Sequence, residues 1–213
     1  MSGAAPGSVE PVAMAPEDAA RARWYALFAD LFRAPVSRTA LAAIAASAQV
    51  GTSGADDGAL AQAWQGFASA CASADAQAVS EEFDSAFVGV GKADVILYAS
   101  YHLSGFLNDR PLVELREQLA ALGLARRAGI GETEDHLSAL CETMAWLIAG
   151  DGGVARDFET QRAFYSRFLG PWFESLADTI EHSGITDFYK HAGRLLREFL
   201  AVERLAFDFD SPQ

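Results

Sequence analysis

Four histidines, His102, His136, His182 and His191, are the residues whose side chains most readily bind a metal or move a proton. A zinc or di-iron site needs several histidine or carboxylate ligands that converge on one point. Glu132 and His136 lie four residues apart, but no second Glu-x-x-His motif and no His-Glu-x-x-His motif accompanies them. We therefore expect no metal site and no cofactor.

Motifs for nucleophilic catalysis or phosphate binding are also missing from the sequence. There is no G-x-S-x-G elbow and no G-x-x-x-x-G-K-[ST] loop. The nearest segment, GVGK at 89–92, is too short to cradle a diphosphate and fits an ordinary interhelical turn. Cys71 and Cys141 are isolated in apolar surroundings, which is typical of small buried hydrophobes. We predict a binding protein rather than an enzyme.

The charge of the chain bears on its partners. Lys and Arg total 16 against 29 Asp and Glu, which gives a formal net charge of −13. Such a chain repels phosphate backbones and favours a basic peptide, although the same charge also suits a protein that only has to stay soluble. With no run of 18 apolar residues and no signal-peptide pattern at the start, we expect a cytoplasmic protein without stable membrane insertion.

Apolar residues recur at helical spacing along most of the chain, and no alternating strand pattern of useful length occurs. The spacing predicts an all-α fold, a single-domain bundle of eight or nine helices over 16–213, after a flexible tail over 1–15 that is rich in Gly, Ala, Pro and Ser. The segment 95–107 fits either a helix or an irregular buried stretch. The helix that opens at Pro111 and ends near Leu122 is clear, and further helices are predicted from Pro16 onward, from about Thr133 to Ala149, and over 186–207.

The most informative polar cluster is Glu132-Thr133-Glu134-Asp135-His136. Thr133 is a good N-cap, which would place the next three residues in the first turn of a helix. Acidic residues there stabilise the positive end of the helix, and this alone can explain them. A protonated histidine is disfavoured at the same end, so we expect Asp135 or Glu132 to offset that cost for His136.

Two aromatic segments fit either the core or a binding surface. Phe83 and Phe87 are four residues apart and share a helix face, which suits core packing or the wall of a peptide groove. Tyr98 and Tyr101 flank Ser100, and buried tyrosines usually keep the hydroxyl at a polar edge, which suits a core rim or a pocket.

Three blocks of the sequence, in order, resemble one known family. They are EEFDSAFVGVG (81–91), YASYHLSGFLNDRPLVELREQLAALGL (98–124) and ETEDHLSALCETMAWLI (132–148). With the C-terminal segment 164–200 they are similar to the TorD/DmsD-type chaperones, also called redox-enzyme maturation proteins. The resemblance covers roughly 20–205, and the order and spacing of the blocks are more specific than any one of them.

The resemblance implies an all-α fold, in some members a homodimer formed by exchanged helices. It implies binding to a molybdoenzyme catalytic subunit or to its twin-arginine signal peptide, and help with cofactor insertion before export. Asp135 and His136 match the family's Asp-His pair, which is implicated in signal-peptide recognition; Thr133 stands where proline is usual. The remaining matches are hydrophobic contact positions and an aromatic-Ser segment: Phe83, Ala86, Phe87, Tyr98 and Ser100.

We therefore predict a peptide-binding site in which Glu132, Glu134 and Asp135 accept guanidinium hydrogen bonds while aromatic side chains bury the apolar part of the peptide. A twin-arginine signal peptide suits this site because two adjacent arginines precede an apolar stretch. One alternative is a chaperone of a non-exported molybdoenzyme, such as a formate dehydrogenase, that recognises a mature-domain surface. Further alternatives are a nucleotide-binding hydrolase, disfavoured by the missing phosphate loop, and a purely structural helical subunit.

Overall fold

The computed structural model describes residues 14–50, 58–89, 93–126, 129, 131–150 and 155–209. Within these residues the chain forms helices and no β-strand, which confirms the all-α prediction. The predicted tail lies outside the described residues except for its last two. The observed helices outnumber the eight or nine that were predicted because a short helix also forms within 95–107. The sequence left this segment open between a helix and an irregular structure.

The helices are named here in chain order, with a single π-helix after α4. Among the described residues no helix is both long enough and apolar enough to cross a membrane. The bounds are α1 Pro16–Leu31, α2 Arg38–Val50, α3 Ala59–Ser73, α4 Ala76–Phe83, π1 Asp84–Val88, α5 Ala99–Ser104, α6 Arg110–Ala121, α7 Leu137–Ala149, α8 Phe158–Phe168, α9 Phe173–His182 and α10 Tyr189–Phe209.

The core is built where α1 lies against α7 and α10 lies against α3 and α9. Aromatic rings join α1 to α10: the ring of Phe199 is 4.9 Å from that of Tyr25 and 5.6 Å from that of Phe28, measured between centroids. All three side chains are buried. Rings of this size bury much apolar area. Tyr25 meets Phe199 edge-to-face and Phe28 meets it at an interplanar angle of 31°, so both contacts stabilise the bundle beyond simple burial.

A buried ion pair also fixes α1 against α10. Arg21 donates from Nε and Nη2 to the two carboxylate oxygens of Glu203, at 2.8 and 2.9 Å. The Glu203 side chain is almost fully enclosed, and the guanidinium of Arg21 lies over the ring of Phe207 at 5.4 Å. Because an unpaired buried carboxylate is costly, the two helices are held in one register by this pair.

Substituting Arg21 with Met should lower the free energy of unfolding by about 3 kcal/mol, because Glu203 would stay buried without its cation. The double variant Arg21→Met/Glu203→Met, which removes both charges, should be more stable than Arg21→Met alone. Urea unfolding of the wild type, the two single variants Arg21→Met and Glu203→Met, and the double variant measures this. Strictly additive effects of the two substitutions would contradict a coupled pair.

Candidate functional site

The polar cluster 132–136 does not start a helix where the sequence suggested. His136 is the N-cap residue of α7, with φ −64° and ψ 139°, and its Nδ1 accepts the backbone N–H of Ser138 at 3.2 Å. The prediction that Thr133 caps this helix, with Glu134, Asp135 and His136 in its first turn, is therefore wrong. The N-cap lies three residues later than predicted, and the helix begins at Leu137.

A tertiary contact explains the late helix start. The backbone before α7 pairs with the segment before α5 through an isolated antiparallel bridge between Tyr98 and His136. Leu137 donates to the carbonyl of Leu97 at 2.8 Å, and Ala99 donates to the carbonyl of Asp135 at 2.9 Å. These bonds go with an extended backbone at His136, and they satisfy polar groups that would otherwise be buried without partners.

The carboxylate of Asp135 faces the protein's own backbone. Asp135 is 1% exposed, and its Oδ2 accepts the backbone N–H of Ser100 at 2.9 Å. Its Oδ1 accepts the hydroxyl of Thr133 at 2.5 Å. Ser100 is in the first turn of α5, so Asp135 serves that helix as a cap supplied from a distant part of the chain.

His136 is buried beside Tyr98, whose ring centroid is 5.0 Å away in an edge-to-face arrangement. Burial lowers the pKa of His136 to about 4, and the nearby carboxylates of Glu132 and Asp135 only partly oppose that shift. Burial likewise raises the pKa of Tyr98, with further contributions from the same two carboxylates. The expected offset by a carboxylate is present but smaller than the cost of desolvation, so the imidazole is neutral near pH 7.

A cleft of about 310 Å³ lies beside this segment, between α7, the C-terminal end of α6 and the chain that follows α6. His136 lines it, whereas Asp135, Tyr98 and Ser100 are not among its lining residues. Its apolar lining includes Leu119, Leu124 and Trp146; its charged lining comprises Glu132, Glu134, Glu142, Arg33 and Arg126.

Two of the three carboxylates in the cleft are already paired. Glu134 lies 2.9 Å from Arg116, and the hydrogen bond from this arginine lowers the pKa of Glu134 although burial alone would raise it. Glu142 lies 3.3 Å from Arg33. The carboxylate of Glu132, by contrast, makes no hydrogen bond or ion pair within the part of the chain that the structure describes. Among the described residues, it is the carboxylate of the cleft that can accept a cation.

The predicted apolar positions on α4 and π1 lie elsewhere. Phe83 and Ala86 are buried in the bundle, and the half-buried ring of Phe87 lies 5.0 Å from that of Tyr189. None of the three lines the cleft beside His136. The neighbouring Glu82 accepts the backbone N–H groups of Phe188 and Tyr189, at 2.9 and 2.7 Å, and so caps the start of α10.

Sequence reasoning missed several cleft residues, most clearly Glu142 and Trp146. They are four residues apart on α7, away from the apolar stripe of Leu140, Met144 and Leu147 that packs into the core. A tryptophan outside the core stripe of its own helix was the available signal. The sequence around Arg33, which follows α1, does not indicate that this residue lines the cleft.

These features define the class of the molecule. It is an all-α bundle with a cleft lined by apolar and charged residues, and its described residues contain no cluster of three or more metal-ligating side chains. A solved structure of a putative redox enzyme maturation protein from Archaeoglobus fulgidus has the same fold. It matches with a TM-score of 0.57 and 20% identity over 85% of this chain and 93% of that chain.

Sequence comparison narrows the class to a family. The family model described as nitrate reductase delta subunit matches residues 53–178, more than half of the chain. The chaperone protein TorD of Vibrio cholerae is 27% identical over 137 residues, and that of Aliivibrio fischeri is 36% identical over 133 residues. These matches cover 61% and 59% of this chain, respectively. In each case this chain spans 62% of the relative's length.

The chain belongs to the nitrate reductase delta subunit family, the family of the TorD chaperones. The predicted resemblance to the TorD/DmsD-type proteins is therefore confirmed. The matched relatives are named as chaperones, in agreement with the predicted class, a binding protein rather than an enzyme.

Stability should depend on pH through His136. The unfolded chain binds a proton on this residue near pH 6.5, whereas the folded chain does so only near pH 4. As the pH falls through this window the unfolded state takes up the proton first, so the free energy of unfolding decreases, by about 2 kcal/mol between pH 7 and pH 5. Urea unfolding at several pH values measures the loss.

The matched control is His136→Asn, which keeps an acceptor for the N–H of Ser138 but cannot titrate. Its stability should fall less between pH 7 and pH 5 than that of the wild type. Burial also lowers the pKa of His102, but this residue is present in both proteins and cancels in the difference. Parallel pH profiles would show that His136 does not cause the effect.

Replacing Asp135 tests its structural role. Asp135→Ala leaves the buried N–H of Ser100 without an acceptor, and we expect a loss of about 2 kcal/mol of unfolding free energy. Asp135→Asn retains one acceptor oxygen and can donate to the Thr133 hydroxyl, so its loss should be smaller. Thermal and urea unfolding compare the two. Equal losses would mean that the hydrogen bonds of this carboxylate do not support the segment.

Proposed function

We propose that the protein is a cytoplasmic chaperone that binds the twin-arginine signal peptide of a molybdoenzyme, or the apo-enzyme that carries it, and assists cofactor insertion and assembly before export. The observation that carries the proposal is the carboxylate of Glu132, which has no partner among the described residues and lies in a cleft with an apolar lining, next to His136. Membership of the TorD family supports it.

The cleft offers both kinds of contact that such a peptide needs. A guanidinium group can donate two hydrogen bonds to the carboxylate of Glu132, and charge on both partners strengthens them. Leu124 and Trp146 provide apolar surface for the neighbouring part of the peptide. Since Glu134 and Glu142 are already paired with arginines, the selectivity for a cation rests mainly on Glu132.

Asp135 and His136 contribute to recognition in different ways. The buried carboxylate of Asp135 holds Ser100 and Thr133, so it positions the segment that carries Glu132 rather than touching the peptide. His136 lines the cleft as a neutral group and can contact a peptide without repelling its arginines. Loss of binding on substitution of Asp135 would therefore reflect a misplaced segment.

We expect Glu132→Gln to weaken binding of a twin-arginine signal peptide about three- to tenfold, because it removes the negative charge but keeps the size of the side chain. Isothermal titration calorimetry at low salt measures the dissociation constant. Replacing both peptide arginines with lysine should weaken binding to the wild type more than to the variant, since lysine loses the bidentate geometry.

The matched control is Glu17→Gln, which removes the same charge from an exposed position of α1. Arg33, which follows α1, lines the cleft, and Glu17 lies sixteen residues before it, about 24 Å along a helix. Peptide affinity should therefore not change. If the two variants bind equally, the recognition site is not at Glu132. If neither the wild type nor either variant binds the peptide, but the wild type binds a client without a signal peptide, the chaperone instead serves a non-exported molybdoenzyme.

A further inference from the structure

The turn between α5 and α6 exposes two large apolar side chains. Phe106 is 71% exposed and Leu107 is 49% exposed. Both lie close in sequence to Val113 of α6, which is 53% exposed. Grouped exposed apolar side chains of this size are uncommon on proteins that have no partner at that surface.

Specific hydrogen bonds hold this turn in place. Gly105 and Asn108 have positive φ values of 85° and 59°, and the N–H of Asn108 is bonded to the hydroxyl of Ser100 at 3.2 Å. Ser100 is fully buried and is held in turn by the carboxylate of Asp135. The same carboxylate that orders the segment before α7 therefore also supports the turn that presents Phe106 and Leu107.

Helix α6 runs from this turn to the cleft. Val113, Glu117 and Ala120 are exposed at spacings of four and three residues, so they share the face opposite the buried leucines of α6. The side chain of Glu117 makes no ion pair with any residue in the described ranges. The helix has 12 residues, about 18 Å, and at its far end Leu119 and Leu124 line the cleft.

We propose that the peptide surface extends from the cleft along α6 to the turn at Phe106 and Leu107. The inference rests on the proposed function and adds the site for the apolar part of the signal peptide. The sequence of groups along this surface complements a signal peptide. The carboxylates of Glu132 and Glu117, unpaired among the described residues, come first, and exposed apolar side chains follow. In the peptide, likewise, the arginines precede an apolar stretch. About five extended residues span the length of α6.

The test is calorimetry on the full chain with two peptides: the complete signal peptide and a short form that ends before the apolar stretch. The variant Phe106→Ala/Leu107→Ala should bind the complete peptide roughly tenfold more weakly than the wild type, and should bind the short form equally well. Because both side chains are exposed, its melting temperature should be unchanged.

The matched control is Val202→Ala/Leu205→Ala, which shortens two apolar side chains of α10 that are 47% and 57% exposed. It should bind both peptides like the wild type. Equal weakening by the two double variants would mean that exposed apolar area in general, not this turn, takes up the peptide.

The two peptides and the variants distinguish a failure of the extended surface from a failure of the proposed function. If the Phe106/Leu107 variant keeps full affinity for the complete peptide while Glu132→Gln loses it, the extended surface is wrong and the cleft stands. If the wild type binds neither peptide, the proposed function and this inference fail together. If the variant keeps its affinity but changes from dimer to monomer in light scattering, the turn covers a second copy of the chain instead.

Discussion

The buried carboxylate of Asp135 is the interaction on which the site depends. It is enclosed almost completely, and its two oxygens accept hydrogen bonds from Ser100 and Thr133. Burying a charge is costly unless hydrogen bonds compensate for the lost water, so this carboxylate tolerates only one arrangement of the two segments it joins. Through Ser100 it orders α5 and the turn after it, and through Thr133 it orders the cleft-lining segment before α7.

The late start of α7 shows where local and tertiary preferences compete. Thr133 followed by acidic residues satisfies the local rules for a helix start, and an isolated peptide of this sequence would favour one. In the folded chain the same backbone instead pairs with Leu97 and Ala99, with His136 as the cap. The sequence carries the local rule in adjacent residues, whereas the competing partner lies 35 or more positions away.

Most of the fold was predictable because helical periodicity is a local property. The buried leucines of α6 at 112, 115 and 119 and the long apolar stripe of α10 appear directly in the residue spacing. The site was less predictable, since residue type does not reveal burial or pairing. Asp135 and Glu132 look alike in sequence, yet one is enclosed by α5 and the other lines a cleft. Phe83 and Phe87, similarly, had equal reason to face the core or a groove, and they pack against Tyr189.

The charge of the molecule and the charge of the cleft act at different ranges. A net charge of −13 attracts a basic peptide over distances comparable to the screening length, which raises the association rate without choosing a binding site. At the cleft, however, Glu142 is paired with Arg33, which lines it, and Glu134 is paired with Arg116, which lies outside its lining. Among the described residues, an arginine that arrives there therefore meets one unpaired carboxylate, that of Glu132, beside a neutral His136 and the apolar surface of Trp146. Selectivity in such a cleft follows from the position of a single charge, and that position is set by the hydrogen bonds of Asp135.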